Sequence, residues 1–514
     1  MSRCLRIFRA YSIKITRRNS TVFLILSFLL ILFSILRLYK YNHSVHPNTL
    51  PHNNYDEYRP GDFLKGHQPL LNSSYFCKFN YGLPQMLDWG TFPIYTSPGE
   101  GIDGPYRVIY NAVKGTAYLN YSKYNAVTYA TQATTEFIYH IVEIARYWEG
   151  PVSLAVYVPN YDMDTAMQQI KQLCRCYQSM NKVSIHLFYP KRHRPKIQNR
   201  KTEMPTEVSL LNINISQSQS LDSKIQKYRS LNKENRGKYV EWVIKNKIKR
   251  LIAKLPRKDK YAPILDFPDC AGPEEFNIPT FRREHSMTYP INVGRNVARN
   301  ASSTNYFLVS DIEMVPSEGL ATKFLRMLRK LMGDRRRDKG DIFAKTVFVV
   351  PLFEVAKGEA IPRDKDTLVK LVSSNRAFYF HQRQCPHCQR FPGLQTWLFR
   401  TPRDVLEPML ISRREYPYHR WEPLYFGTQQ EPWYDEKLSW EGRQEKMTQM
   451  LELCLQDYRM VVLDGGFLCH AASNKNITNN IKAEQLTRRR YQTIISEFKN
   501  KYPKRPKCRT MYGC

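Results

Sequence analysis

Between Asn125 and Phe188 the apolar residues come in two alternating arrangements. Asn125–Ala130, Val152–Val158 and Val183–Phe188 are short, nearly continuous apolar runs, whereas Thr134–Trp148 and Asp164–Cys176 carry apolar residues three and four apart. Continuous runs suit strands covered on both faces, and the three-four spacing lays one apolar stripe along a helix. Gly150-Pro151 separates the first helix from the second strand. Strand, helix, strand, helix, strand with short breaks predicts an α/β fold with a parallel sheet.

Polar, base-rich sequence interrupts this pattern from about 191 to 265, and the pattern resumes at Tyr289. A helix is expected after Pro290, with Asn292, Arg295 and Asn296 about one turn apart on one side. Its polar face could reach a ligand, though such a face is more often solvated. The helix leads into Tyr306–Val309, an uncharged run with strand composition, followed by Asp311 and Glu313. Side chains two apart on an extended chain point the same way. Both carboxylates are therefore expected together at the strand's C-terminal end, where open α/β sheets take ligands. Pro316 and Ser317 end the strand. Thr322–Met332 reads as an amphipathic helix, and Thr346–Phe353 as a strand that Pro351 places at an edge or bend. Val461–His470 reads as a strand, a Gly-Gly turn and a second strand ending in His470.

The two ends of the chain and its charge add location. Arg3, Arg6, Arg9, Lys14, Arg17 and Arg18 precede the uncharged apolar run Thr21–Leu36, and no small-x-small cleavage site follows it. This is the pattern of a signal anchor, with a cytosolic tail at 1–20, a membrane span at 21–38 and the rest of the chain lumenal. Residues 39–104, rich in Pro, Asn, Tyr and Gly, read as a stem and lead-in segment, and 105–514 as the folded domain. Six sequons, at Asn42, Asn72, Asn120, Asn214, Asn300 and Asn476, and ten cysteines beyond the span suit an oxidising, glycosylating compartment. Of the net charge of +32, much lies in Lys191–Lys201 and Lys224–Lys260. A solvated basic insertion explains this better than a polyanion site. A nucleic-acid partner is disfavoured, because no RNA-binding or zinc-finger signature accompanies the charge.

Two oxygen donors at a strand end can hold Mg²⁺ or Mn²⁺ by one or two bonds and leave room for phosphate oxygens. Acids in such a place also serve turns and helix N-termini. A lone histidine is more often a satisfied structural residue, but His470, at a second strand end, is the candidate nitrogen ligand to complete such a site. Cys385-Pro-His-Cys388 lacks the second pair a zinc site needs and the early βαβ context of a redox pair, so a structural disulfide or buried thiols are expected. Tyr418–Tyr425 is an aromatic cluster holding one acid, Glu422; aromatics there suit either the core or a sugar ring.

Tyr289–Asn296, the Asp311-Ile-Glu313 strand end, Cys385-x-x-Cys388, Trp421-Glu-Pro-Leu-Tyr-Phe426 and Gly466-Phe-Leu-Cys-His470 together resemble the β-1,4-glucuronyltransferase family, related to the second catalytic domain of the LARGE glycosyltransferases. The likeness spans roughly Asn125–Cys508, the basic insertion apart. It implies a GT-A fold, a single-pass type II Golgi membrane anchor, and Mn²⁺-dependent, inverting transfer of glucuronate from UDP-glucuronate to a β-xylose of a dystroglycan-type O-mannosyl glycan. On this likeness Asp311 and Glu313 stand at the family's Asp-x-Asp and His470 at its metal-binding histidine. Glu313 departs from that motif by one methylene. Glu422 is the candidate base, with Asp464 second, and Asn292, Arg295, Asn296 and Asp311 the candidate donor-binding residues; Arg295 is the candidate partner of the donor's carboxylate. Expected partners are the UDP-sugar, the glycan acceptor and the Golgi membrane, with a complex of glycosyltransferases as a further possibility. A transferase of another UDP-sugar, such as N-acetylglucosamine, or a non-catalytic Golgi partner of other transferases are the competing readings.

Overall fold

All eight residues of the strand Val127–Thr134 are buried, and the main sheet is assembled outward from it. The computed structural model describes residues 75–81, 93–121, 125–196, 278–333, 343–471 and 481–510. Within these lie the strands β1 Cys77–Phe79, β2 Tyr95–Thr96, β3 Tyr106–Gly115, β4 Val127–Thr134, β5 Val152–Tyr157, β6 Val183–Pro190, β7 Tyr306–Val309, β8 Val315–Pro316, β9 Thr346–Val350, β10 Leu352–Val355, β11 Ala377–Tyr379, β12 Glu407–Ser412, β13 Leu424–Gly427, β14 Arg459–Asp464 and β15 Leu468–Ala471. The main sheet runs β1-β3-β6-β5-β4-β7-β13-β9-β14-β12, with β2 added beside β3. A second, four-stranded sheet runs β11-β10-β15-β8.

The expected parallel arrangement is present: β4 pairs in parallel with β5 and with β7, and β5 with β6. β5 and then β6 step outward on one side of β4, and the chain then crosses back to lay β7 on the other side. The strand order thus reverses between β4 and β7, and a crevice forms beyond the C-terminal ends of strands at such a point. Antiparallel pairing of β13 with β7 and β9 makes the sheet mixed. The fold is therefore the expected α/β type, with a large mixed sheet.

Helix Ile291–Asn300 packs on this sheet so closely that Ile291 through Arg299 are all buried. Gly294 is what allows it: a Cβ there would lie 2.8 Å from the Gln132 Cβ on β4. The region read as one helix, Thr134–Trp148, begins as a 3-10 turn, Thr135–His140, before the α-helix Ile141–Tyr147. Pro351 divides the expected strand Thr346–Phe353 in two, because it has no N–H to continue the ladder; β9 stays in the main sheet and β10 passes to the small one. At the Gly-Gly turn, Gly465 holds φ +84 and a Cβ would meet the Val405 carbonyl at 2.0 Å, so only glycine fits.

The lead-in segment read as irregular contributes β1 and β2 to the main sheet, and Cys77–Cys174 ties β1 to helix Asp162–Cys176. Cys454–Cys508 and Cys385–Cys388 are also bonded, the latter as expected, and Cys469 is a buried thiol. None of the described helices is long and apolar enough to cross a membrane; the expected span at 21–38 lies outside the described residues, as do residues 197–277, which include most of the basic insertion.

Candidate active site

The chain does not run straight from Asp311 to Glu313. Met314 N–H donates to the Asp311 carbonyl (3.0 Å), closing a turn, and the buried Tyr129 hydroxyl donates to the Met314 carbonyl at 2.7 Å. A turn replaces the two-residue repeat of an extended chain, so the two carboxylates part company. This corrects the expectation that they leave the strand side by side.

Glu313 turns toward the small sheet. β15 pairs antiparallel with β8 and parallel with β10, setting His470 beside Glu354 in register and near the turn that precedes β8. His470 Nε2 lies 3.0 Å from Glu313 Oε2, and His140 Nε2 lies 3.8 Å from Oε1. The buried Nδ1 of His470 has no hydrogen-bond partner among the described residues. His470 and Glu313, from sequence positions 157 residues apart, are thus brought into contact as expected.

Asp311 turns the other way, into a network of buried charges. Its Oδ1 accepts from Gln132 Nε2 on β4 (2.9 Å) and from Arg295 Nη2 (3.0 Å), and Lys446 Nζ stands 3.7 Å from Oδ2. Arg295, only 1 % exposed, also donates to Glu445 (3.1 Å) and to the Asn292 side chain (2.9 Å). Burial alone would raise the Asp311 pKa, but Lys446 and Arg295 together with the Gln132 hydrogen bond outweigh it and hold the carboxyl well below its usual range. Among the described residues no group of three or more His, Cys, Asp and Glu side chains is arranged to hold a metal ion. The third expected ligand, Asp311, instead spends its oxygens on cations.

The polar side of helix Ile291–Asn300 is covered, not solvated. Asn292 Nδ2 donates to the carbonyls of Asp435 and Glu445, both at 2.8 Å. Asn296 Nδ2 donates to the Tyr434 carbonyl (2.8 Å) and to Glu436 (2.9 Å), while its Oδ1 accepts the Tyr434 N–H (3.0 Å). Both asparagines therefore fasten the 434–446 segment over the helix, and of the helix's three candidates only Arg295 reaches Asp311.

Glu422 stands in the same field. Burial pushes its carboxyl up, Glu445 adds to the rise, and Lys446, Arg414 and Arg295 oppose it. Its backbone is pinned: Glu422 N–H donates to the Cys388 carbonyl at 2.8 Å, and Gln389 Nε2 donates to the Glu422 carbonyl at 2.9 Å. The aromatic cluster around it is largely core, with Trp421 and Tyr425 buried. Asp464, the second candidate base, is committed elsewhere: Lys365 Nζ holds one oxygen at 2.6 Å and Arg400 Nε the other at 3.1 Å. A carboxylate so paired is a structural anchor, and it is set aside as a base.

Sequence reading missed Gln132, His140, His381, Glu445 and Lys446. Burial, followed by Lys446 and His470, presses the His381 imidazole down to about 4, so it is neutral at physiological pH. Glu445-Lys446 looks like ordinary surface sequence, and no local signal marks it. Gln132 alone had a cue, as the one amide in a strand otherwise made of apolar residues and threonines.

The chain matches the family described as "Glycosyl-transferase for dystroglycan" over residues 126–503. It is 25 % identical over 409 residues to human beta-1,4-glucuronyltransferase 1, covering 79 % of this chain and 81 % of that protein. The zebrafish (Danio rerio) protein of the same name is 29 % identical over 225 residues, 43 % of this chain and 50 % of that one. Mouse xylosyl- and glucuronyltransferase LARGE2 is 27 % identical over 189 residues, 35 % of this chain and 24 % of that protein.

Proposed function

The chain belongs to the family of glycosyl-transferases for dystroglycan, and from that premise we propose that it moves glucuronate from UDP-glucuronate to a β-xylose of an O-mannosyl glycan. The observation that carries the reading is that the strand end after β7 supplies both an acid in contact with a histidine, Glu313 with His470, and an acid held by cations, Asp311 with Arg295 and Lys446. On this reading the fold is GT-A, and the protein is a single-pass type II component of the Golgi membrane with its catalytic domain lumenal, an assignment supported by the basic residues ahead of the apolar run at 21–36.

Glu313 and His470 are the residues that would hold Mn²⁺. A carboxylate and an imidazole in contact are a suitable donor set, and the buried His470 Nδ1 is a ring nitrogen with no hydrogen-bond partner among the described residues. When bound, such an ion neutralises the charge that builds on a departing diphosphate. An α-linked donor giving a β-linked product requires one inverting displacement, for which a carboxylate must take the proton from the acceptor hydroxyl. Glu422 is placed in that role. Its raised pKa matches a base operating near neutral pH better than an ordinary glutamate would. Arg295 is withdrawn as the partner of the donor's carboxylate, since Asp311, Glu445 and Asn292 already occupy its guanidinium.

The test is transfer by the purified full-length chain in detergent, with a panel of UDP-sugars and a β-xyloside acceptor, with and without Mn²⁺. Glucuronate transfer that requires Mn²⁺ is the expected result. Preference for UDP-N-acetylglucosamine, or equal use of all donors, would overturn the donor assignment.

A further inference from the structure

Apart from the site above, whose Asp311, Glu313, Glu422 and His470 do not line it, the fold contains a cavity of about 430 Å³ bounded by Glu100, Asp103, Tyr106, Glu436, Leu486 and Arg490 among others. It lies where the lead-in segment, the 434–446 segment and the C-terminal helix Ile481–Lys501 meet. Glu436 builds the meeting point. One of its oxygens accepts the Gly99 N–H (2.9 Å) and the Asn296 side chain (2.9 Å), and the other accepts the Glu100 N–H (3.1 Å). That carboxylate is satisfied, and it fixes the backbone that carries Glu100.

Two acids in the lining are unspent. Among the described residues no hydrogen bond or ion pair engages the Glu100 or Asp103 carboxylate; burial, followed by Glu436, raises the Glu100 pKa against the opposing charges of Lys437 and Arg490, and Arg490 itself donates to the Lys437 carbonyl. The hydroxyl-bearing Tyr106, Thr288 and Ser439 also line the cavity. Leu486, also in the lining, is 48 % exposed. The turn Trp440–Gly442 is held against the helix so tightly that a Cβ on Gly442 would collide with Thr487 at 1.7 Å.

We propose that this cavity binds a neutral segment of the acceptor oligosaccharide, away from the reacting end. Carboxylates with no direct ion pair accept hydrogen bonds from sugar hydroxyls, hydroxyl side chains donate and accept them, and exposed leucine surface covers the C–H face of a pyranose. The charges select the ligand. Glu100 and Asp103 repel a polyanion, and Arg490 with Lys437, also in the lining, repels a basic peptide. The 434–446 segment that carries Glu436 also holds Asn292 and supplies Glu445 and Lys446 to the Asp311 network, so one element serves both places. That the sugar is an acceptor rests on the reading under "Proposed function"; that the cavity takes a neutral oligosaccharide does not.

The experiment compares a simple β-xyloside with xylotetraose, a neutral β-linked oligosaccharide, using the full-length chain. Two or three added hydrogen bonds predict a KM about 3- to 30-fold lower for xylotetraose. Glu100→Gln with Asp103→Asn, and separately Arg490→Ala, are expected to remove that gain while leaving the KM for the short xyloside unchanged. Xylotetraose binding, followed by saturation-transfer NMR, should persist in a Glu313→Ala, His470→Ala variant. Equal KM values for the two acceptors, or xylotetraose binding insensitive to the Glu100 and Arg490 variants, would overturn the proposal. So would tighter binding of tetraglucuronate or of a lysine-rich peptide. If no acceptor is used but xylotetraose binds and the cavity variants weaken it, the cavity assignment stands and the acceptor assignment falls.

Discussion

Replacing Arg295 by methionine removes the cation shared by Asp311 and Glu445 while nearly conserving volume. Stripping one partner from a buried ion pair costs about 3–5 kcal/mol, because the partner's charge is left unpaired in a poor solvent. Two features place this case at the lower end. Asp311 keeps 32 % exposure, so water screens part of its charge, and Lys446 remains 3.7 Å from Asp311 and 3.4 Å from Glu445. The expected loss is about 3 kcal/mol, and in a chain of this size that lowers Tm by on the order of 5 °C. The pH dependence follows from the sign of the Asp311 shift. Its folded pKa is depressed, so its stabilisation is present above the unfolded value of about 3.9 and is lost as pH falls through the folded value. Without Arg295 the neutral-pH advantage shrinks. The deficit relative to wild type is therefore full from pH 7.5 down to about 4 and narrows only below that, as the carboxyl takes up its proton. Thermal and urea unfolding at pH 7.5 and 3 measure it. A deficit under about 1 kcal/mol, or one equal at both pH values, would refute the claim that Arg295 neutralises buried carboxylates.

Three further outcomes are expected. Glu422→Gln should lower kcat by about 100-fold or more while sparing KM for the donor, and the acidic limb of the wild-type kcat profile should lie above the ordinary glutamate range, because burial raises this carboxyl; a limb near the unperturbed value of about 4.3 would remove Glu422 from the mechanism. His470→Ala should abolish Mn²⁺-dependent UDP binding by calorimetry, and the wild-type protein should lose the same signal after chelation; retained binding would sink the Glu313–His470 assignment. Gly294→Ala should destabilise by about 1–2 kcal/mol in urea titrations, since the methyl would lie 2.8 Å from Gln132 and the clash outweighs roughly 1 kcal/mol of gained helix propensity; an unchanged urea midpoint would show that the helix shifts at no cost.

Much of the architecture could be read from local pattern. The runs at β4, β5 and β6 and the helix at Asp162–Cys176 appear within a few residues of their expected bounds, because periodic burial leaves a periodic trace in the chain. Helix ends were less legible: the 3-10 turn Thr135–His140 has the same apolar spacing as the helix it enters. The Asp311–Glu313 pair was legible as chemistry and misleading as geometry. Its hydrogen-bonded turn is held in part by the Tyr129 hydroxyl, contributed from a strand about 180 residues earlier in the sequence.

Residue types and their order alone determined the α/β class, the family likeness and the candidacy of Asp311, Glu313 and His470, since covalent sequence dictates hydrophobic period and carries the motif itself. Only the tertiary structure decided which acid meets His470 and which meets Arg295, why the asparagines of helix Ile291–Asn300 face the 434–446 segment, and that Lys446 and Glu445 belong to the centre. Apart from Arg295 and Asp311, 16 positions apart, these contacts join residues about 150 positions apart, and no local pattern encodes a distance closed by tertiary packing.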